Sequence, residues 1–139
     1  MIESLRIASN QIEGGIPSVL GTIDKLQRLE FFDNNISGTL PKEIGNLSQL
    51  NHFSASSLKG TIPSEIGNCR SLKYFAVVFS DLTGTIPPEL FDATKLEWVY
   101  LTKNYLTGTI SSKIGQLQNL KTRKLLYTDL FSFKIDRSH

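Results

Sequence analysis

The chain has little of what most metal and catalytic sites require. Its 139 residues include one cysteine and two histidines, and 15 basic against 13 acidic side chains leave a formal charge of +2. A single cysteine excludes an intramolecular disulfide, and neither histidine has other ligand residues beside it at metal-binding spacing. A broad phosphate-binding surface needs basic residues clustered on one face. The composition therefore favours a chain without a metal, a cofactor or a nucleic-acid partner.

Signatures of enzymes and of membrane insertion are missing as well. The glycines are not spaced as in a phosphate-binding loop, and the sequence contains neither His-Arg-Asp nor Asp-Phe-Gly, the motifs of kinase catalysis. No apolar stretch is long enough to cross a bilayer, and no signal peptide is recognisable. We predict no catalytic residues, and we expect the chain to be a fragment or a truncated gene product.

What the sequence does contain is an internal repeat. Glycine begins a nearly constant four-residue phrase, such as Gly-Thr-Ile-Pro, at intervals of 24, 22, 24 and 24 residues. The five phrases begin at Gly14, Gly38, Gly60, Gly84 and Gly108. A unit of this length cannot bury its own apolar face and is stable only when stacked on neighbouring units. The period predicts an elongated array over residues 1–120, followed by a degenerate sixth repeat or a divergent tail over residues 121–139.

Each unit combines a strand, a turn and a helical return. Alternating apolar residues, such as Val99 and Leu101, predict a strand with one buried face, and the proline after the glycine opens a short helix. A residue four positions before each glycine is predicted to bond otherwise orphaned backbone groups, in a ladder along the stack. These ladder residues are Asn10, Asn34, Ser56, Ser80 and Asn104. Because serine lacks the amide, we expect a weaker ladder in the middle of the array.

The third unit departs from the pattern. It is two residues shorter than the others, and counting back from its glycine places Phe53 where Phe31 stands in the second unit. We therefore expect a bulged or shortened strand around Leu50–Phe53, with His52 misplaced relative to the neighbouring strands.

The repeating pattern Leu-x-x-Leu-x-Leu-x-x-Asn-x-Leu-x-Gly-x-Ile-Pro, seen best from Ile36 to Leu47, resembles the plant-type extracellular leucine-rich repeat. The resemblance implies an α/β repeat solenoid: a horseshoe with a parallel concave β-sheet and short helical returns on the convex side. It implies a parent that is a receptor-like kinase or receptor-like protein used in signalling or defence, at the plasma membrane or outside the cell. Any Ser/Thr kinase domain of such a parent lies outside this chain.

The resemblance also implies the partners. They are a peptide or protein ligand and, in some family members, a co-receptor ectodomain. A second function stays open, that of a secreted inhibitor of a cell-wall-degrading enzyme, similar to polygalacturonase-inhibiting proteins. Family members share the scaffold and differ at its surface, so the repeat alone does not identify the ligand.

The concave face is where we expect a ligand to bind. Side chains alternate along a strand, so residues beside the buried positions point outward. Large amphipathic aromatic side chains at such positions are typical of binding hot spots. The predicted ligand-binding residues are Phe32, Tyr74, Phe79, Trp98, Tyr100 and Lys103.

Three further patterns carry weaker hypotheses. Asn35 and Asn46 begin Asn-x-Ser sequons and would accept N-glycans in a secretory pathway. Cys69 stands in a slot that leucine fills in other units, which predicts a buried structural thiol. A row of equivalent threonines offers regularly spaced hydroxyls for ice binding, although a solvated surface explains such a row as well. The row consists of Thr39, Thr61, Thr85 and Thr109.

Overall fold

The computed structural model describes residues 1–121 and the backbone of Lys134–Ile135. Each of the five repeats contributes a strand followed by a five-residue 3-10 helix. The strands of the main sheet are β1 (Ser4–Arg6), β3 (Arg28–Phe31), β5 (His52–Ser56), β7 (Tyr74–Val78) and β9 (Trp98–Tyr100). The helices are η1 (Ser18–Thr22), η2 (Lys42–Asn46), η3 (Ser64–Asn68), η4 (Pro88–Asp92) and η5 (Ser112–Gln116).

Short strands between the main strands and the helices form a second, lateral layer. They are β2 (Glu13–Gly14), β4 (Asn35–Ile36), β6 (Lys59–Gly60), β8 (Asp81–Leu82), β10 (Thr109–Ile110) and β11 (Lys134–Ile135). β2 pairs with β4, β6 with β8, and β10 with β11, each in parallel. The predicted division at residue 120 falls at the edge of the described residues, and most of the predicted tail lies outside them.

The five main strands form one parallel sheet in the order β1-β3-β5-β7-β9. Their register aligns outward-facing residues of successive repeats into rows across the concave face. The first row consists of Arg28, His52, Tyr74 and Trp98, and the second of Glu30, Ser54, Ala76 and Tyr100. The predicted solenoid with a parallel concave sheet and short helical returns is confirmed. Within the described residues, no helix is long and apolar enough to cross a membrane.

A continuous apolar core separates the sheet from the helices. In four repeats a leucine stands three residues before the first inward-facing residue of the main strand. These leucines are fully buried: Leu26, Leu50, Leu72 and Leu96. Cys69 is also fully buried, and its Sγ donates to the carbonyl oxygen of Ile44 at 3.2 Å. Burial raises the pKa of the Cys69 thiol to about 12, so the side chain is neutral and unreactive at neutral pH.

The convex helices stack so closely that the glycines of η1, η2 and η3 have no room for a side chain. A Cβ at Gly67 would stand 2.1 Å from the carbonyl oxygen of Glu89 in the next repeat. At Gly45 the corresponding distance to the Glu65 oxygen would be 2.4 Å. The glycines therefore set how closely successive repeats approach on this side.

The prediction for the third repeat was wrong. β5 is a regular five-residue strand in register with both neighbours, and Ala55, rather than Phe53, lies opposite Phe31. The two missing residues belong to the bend that follows, where Ser57 has a φ of 63° and leads directly into Leu58. His52 is therefore correctly placed, because the deletion shortens the bend and leaves the strand intact.

Asparagine side chains tie successive repeats together at these bends. The Oδ1 atom of buried Asn104 accepts from the Leu82 backbone N–H at 3.0 Å, and its Nδ2 donates to the Val77 carbonyl at 2.7 Å. Asn34 makes the equivalent bonds, to Ile12 and Ile7 of the first repeat. Each asparagine thus satisfies a donor and an acceptor of the preceding repeat, and the two bonds of Asn104 are buried.

The serines and the first asparagine behave differently. The Ser80 hydroxyl accepts from the Leu58 N–H at 3.1 Å but donates within its own repeat, to the Val78 carbonyl at 3.0 Å. Ser56 is not at the asparagine position at all, because the deletion removes that position; it ends β5 and accepts from the Asp33 N–H at 3.3 Å. Asn10 is exposed, and its side chain donates to the local Ala8 carbonyl at 2.8 Å.

Candidate functional site

A cavity of about 450 Å³ opens on the concave face. Its position follows from side-chain size along the second row, where small Ser54 and Ala76 stand between larger Glu30 and Tyr100. Larger side chains of the first row form one wall and those at the ends of the strands form the other. The lining residues are Glu30, Phe32, His52, Ser54, Tyr74, Ala76, Val78 and Tyr100. The cavity therefore spans four repeats and is open to an extended ligand.

Aromatic rings line the carboxyl-terminal half of this surface. The rings of Trp98 and Tyr100 lie 6.3 Å apart and nearly parallel, at 9°. Tyr100 also meets Tyr74 at 5.7 Å with the planes tilted by 47°. Lys121 lies 5.8 Å above the Trp98 ring and is ion-paired with Glu97. These contacts hold the three rings in one half-buried cluster, which we call the aromatic platform of Tyr74, Trp98 and Tyr100.

The other half of the cavity is organised by one carboxylate. Glu30 accepts from Arg6 Nε at 2.7 Å and from Arg28 Nη1 at 2.7 Å, and its Oε1 lies 3.0 Å from His52 Nε2. Burial raises the pKa of Glu30, but the hydrogen bonds from Arg28 and Arg6 outweigh burial and bring the pKa below its ordinary value. Glu30 is therefore ionised at neutral pH and acts as an acceptor towards all three partners.

His52 connects the charged half to the aromatic platform. Its ring stacks on Tyr74 with 4.2 Å between centroids and 1° between planes. Burial lowers the pKa of His52, and the Arg28 charge lowers it further, against the opposite effect of Glu30. The imidazole is therefore neutral at neutral pH. Because a carboxylate oxygen lies 3.0 Å from Nε2, its negative charge favours the neutral form of the ring that carries the proton on Nε2.

The predicted site residues separate into two groups. Phe32 and the aromatic platform lie at the cavity or in ring contact with residues that line it. Phe79 and Lys103 are exposed on the bends that follow β7 and β9, with φ values of 48° and 58°, and neither lines the cavity. Phe79 is a bulky residue in the left-handed region, where such residues are rarely found.

Sequence reasoning missed the floor and the charged wall of the cavity. Ser54 and His52 were overlooked because the third repeat was aligned two residues out of register. The leucines could have shown the true register, since Leu50-x-x-Phe53-x-Ala55 repeats the spacing of Leu26-x-x-Leu29-x-Phe31. Both patterns lead to a fully buried residue of the core.

The remaining candidate positions lie on other surfaces. Asn35 in β4 and Asn46 at the end of η2 are both exposed, as are all four threonines of the predicted row. A Cβ at Gly60 would stand 2.9 Å from the Thr39 methyl group, and one at Gly108 would stand 2.7 Å from that of Thr85. Packing against the next repeat thus accounts for part of the threonine pattern. The described residues include no cluster of three or more His, Cys, Asp or Glu side chains that could hold a metal ion.

Comparison with known proteins shows which proteins have similar repeats. The Leucine Rich Repeat family matches residues 1–23 and 25–47. The structure of the plant peptide hormone receptor RGFR1 in complex with RGF2 is 36% identical, with a TM-score of 0.83, over 86% of this chain and 19% of that one. The Arabidopsis receptor kinase HAESA, in complex with the peptide hormone IDA and the co-receptor SERK1, is 30% identical, with a TM-score of 0.81, over 85% and 20%. No curated protein matches the chain.

A third similarity concerns a different kind of protein. The structure of a plant ice-binding protein is 30% identical, with a TM-score of 0.71, over 81% of this chain and 38% of that one. All three comparisons share the repeat fold, and the chain spans about a fifth of the length of each of the two receptors.

Fold and comparisons together define a leucine-rich repeat solenoid. Its repeats are of the plant extracellular type and are similar to those of the receptors RGFR1 and HAESA. RGFR1 and HAESA are in complex with peptide hormones in these structures, and no enzymatic domain is evident in the described part of this chain.

Proposed function

We propose that the chain is part of the extracellular region of a plant receptor-like kinase or receptor-like protein and binds a peptide on its concave face. The cavity bounded by Glu30, His52 and the aromatic platform is the observation that carries this proposal. The receptors RGFR1 and HAESA, whose structures contain peptide hormones, support the ligand class. The complex of HAESA with SERK1 supports a co-receptor as a further partner, and both receptors support a location at the outer face of the plasma membrane.

The shape of the site favours an extended peptide over a compact ligand. The cavity lies across β3, β5, β7 and β9, so a bound chain would run along the array and cross successive strands. Small Ser54 and Ala76 leave room for one bulky side chain of the peptide between Tyr100 and Glu30. The aromatic platform then contributes the large rigid contacts that dominate binding energy in protein interfaces.

Filling the cavity tests this assignment. Peptides would be selected from a random display library on the immobilised chain, and their affinity measured by calorimetry for wild type, Ala76→Trp, Tyr100→Ala and Lys42→Ala. Ala76→Trp occupies the floor and should abolish binding, and Tyr100→Ala should weaken it about thirtyfold or more, corresponding to about 2 kcal/mol. Lys42 lies on the convex side, so its variant should bind within about twofold of wild type.

The result that contradicts the proposal is normal binding by Ala76→Trp. Circular dichroism of each variant shows whether it is folded, and because Ala76 and Tyr100 face outward the spectra should be unchanged. Inhibition of a polygalacturonase by the wild-type chain, with no peptide selected, would instead favour the enzyme-inhibitor function.

A second candidate function is ice binding by the threonine row. Two observations favour it: the exposure of all four threonines and the similarity to a plant ice-binding protein. The four threonines recur once in each of four successive repeats, so the row presents methyl and hydroxyl groups at equivalent positions of the array.

Ice recrystallisation tests this second function. Thr61→Lys together with Thr85→Lys should abolish any inhibition by the wild-type chain, while Tyr100→Ala should leave it unchanged. A wild-type chain that does not slow recrystallisation at any concentration would rule this function out.

A further inference from the structure

His52 has one ring nitrogen that the fold does not use. Nε2 is engaged with Glu30, and the ring face is stacked on Tyr74. Nδ1 has no hydrogen-bond or ion-pair partner within the described residues, and no buried side-chain nitrogen or oxygen there lacks a partner. Nδ1 is therefore accessible to solvent, and His52 is one of the residues that line the cavity.

The neighbours of His52 fix both the orientation and the protonation of its ring. Glu30 holds the proton on Nε2, which leaves Nδ1 as a hydrogen-bond acceptor in the neutral ring. Arg28 and Arg6 on β3 and β1 disfavour a second positive charge, and Glu30 opposes them. On the other side lie the rings of Tyr74 on β7 and Tyr100 on β9, and burial raises the pKa of the Tyr74 hydroxyl above its ordinary value.

We propose that His52 is a specificity-determining residue of the concave site, whose Nδ1 accepts a hydrogen bond from an N–H or O–H group of the ligand. This inference rests on the proposed peptide-binding function and adds a chemical requirement to it. The ligand group that lies beside His52 must carry a donor, and a purely apolar or acceptor-only group of the same size is disfavoured.

The proposal makes binding dependent on pH in a defined direction. Protonation of Nδ1 converts the acceptor into a donor, which cannot receive the ligand's hydrogen bond. Because the pKa of His52 is lowered from its ordinary value of 6.5, the accepting form dominates at pH 7.5. Ligand affinity should be constant above pH 7 and should fall as the pH decreases through the pKa of His52.

Two small aromatic probes test the donor requirement without a known peptide. Phenol carries an O–H donor, whereas anisole has a similar ring and only an acceptor oxygen. Their affinities would be measured by NMR titration of the ¹⁵N-labelled chain at pH 7.5 and at a lower pH at which the ring resonances of His52 show that it is protonated. We expect phenol to bind about five- to tenfold more tightly than anisole at pH 7.5, the range for one net hydrogen bond, and to lose that advantage at the lower pH.

Two variants separate this role from a structural one. His52→Gln keeps an acceptor and a donor towards Glu30 but cannot titrate, so phenol should bind with little change between the two pH values. His52→Phe keeps the ring that packs on Tyr74 but has no acceptor, so phenol and anisole should bind alike. Phenol binding that remains pH dependent in His52→Gln, or a phenol preference that survives in His52→Phe, would overturn the proposal.

The peptide-binding function is tested independently of these probes. Equal affinity of phenol and anisole in the wild-type chain would refute the role of His52. The peptide-binding function would still stand if Ala76→Trp abolishes the binding of selected peptides. Failure of both probes to shift the resonances of residues lining the cavity would refute it as well.

Discussion

Replacing Asn104 with alanine tests how the repeats are held together. The asparagine is buried, and its amide satisfies the Leu82 N–H and the Val77 carbonyl of the preceding repeat. Each buried backbone group left without a partner costs about 1 to 3 kcal/mol. With two such groups stranded, we expect Asn104→Ala to lower the free energy of unfolding by about 3 kcal/mol.

Chemical unfolding in urea measures this loss. With a slope of about 2 kcal/mol per molar urea, the midpoint should fall by about 1.5 M. Asn104→Ser should lie between wild type and alanine, because a hydroxyl can reach the Leu82 N–H but not the Val77 carbonyl, as Ser80 shows in the repeat before it. Asn10→Ala is the matched control, since the Asn10 side chain is exposed and its hydrogen bond to the Ala8 carbonyl lies within its own bend. Equal losses for Asn10→Ala and Asn104→Ala would refute the ladder.

Three other substitutions follow from the geometry. Gly67→Ala places a Cβ 2.1 Å from the Glu89 carbonyl and should cost about 2 to 3 kcal/mol by thermal unfolding, whereas Gly115→Ala, which has no atom within 4 Å of the added Cβ, should be close to neutral. Phe79→Asn places a residue that readily adopts a positive φ where a bulky one now stands, and should raise the free energy of unfolding by about 1 kcal/mol. A loss of stability would show that the exposed ring packs favourably. The pKa of Glu30 is lowered in the fold, so its stabilisation is present above its unfolded pKa and is lost as the pH falls through the folded pKa. Glu30→Gln should therefore be less stable than wild type at pH 7 and equal to it at the acid end, and a constant difference across that range would contradict this assignment.

The repeat period predicts most of the fold because each unit forms the same strand, turn and helix with the same kinds of residues. Glycine at a positive φ, a buried leucine and a turn asparagine recur at fixed offsets, and these place the strands of four repeats correctly. The third repeat was misaligned because a glycine fixes only one end of the segment that carries the deletion. Leu50 fixes the other end, and only the two anchors together locate the missing residues in the bend.

The site was harder to predict than the fold. Alternation along a strand indicates which residues face outward, so Tyr74, Trp98 and Tyr100 could be predicted from the sequence. The cavity depends instead on contrasts between strands, where Ser54 and Ala76 lie between Glu30 and Tyr100. Predicting such contrasts requires knowing the register of the strands. The contacts that orient His52 depend on side-chain geometry, which cannot be predicted from the repeat period.

The central claim, that the concave aromatic platform binds peptide, can be tested through the single tryptophan of the chain. Trp98 stacks with Tyr100 at the edge of the cavity, so its fluorescence reports directly on that surface. Titration with a selected peptide should change the Trp98 emission in a saturable way, with the same Kd as calorimetry gives. Calorimetric binding with no change in Trp98 emission would contradict the account and place the ligand on another face of the solenoid.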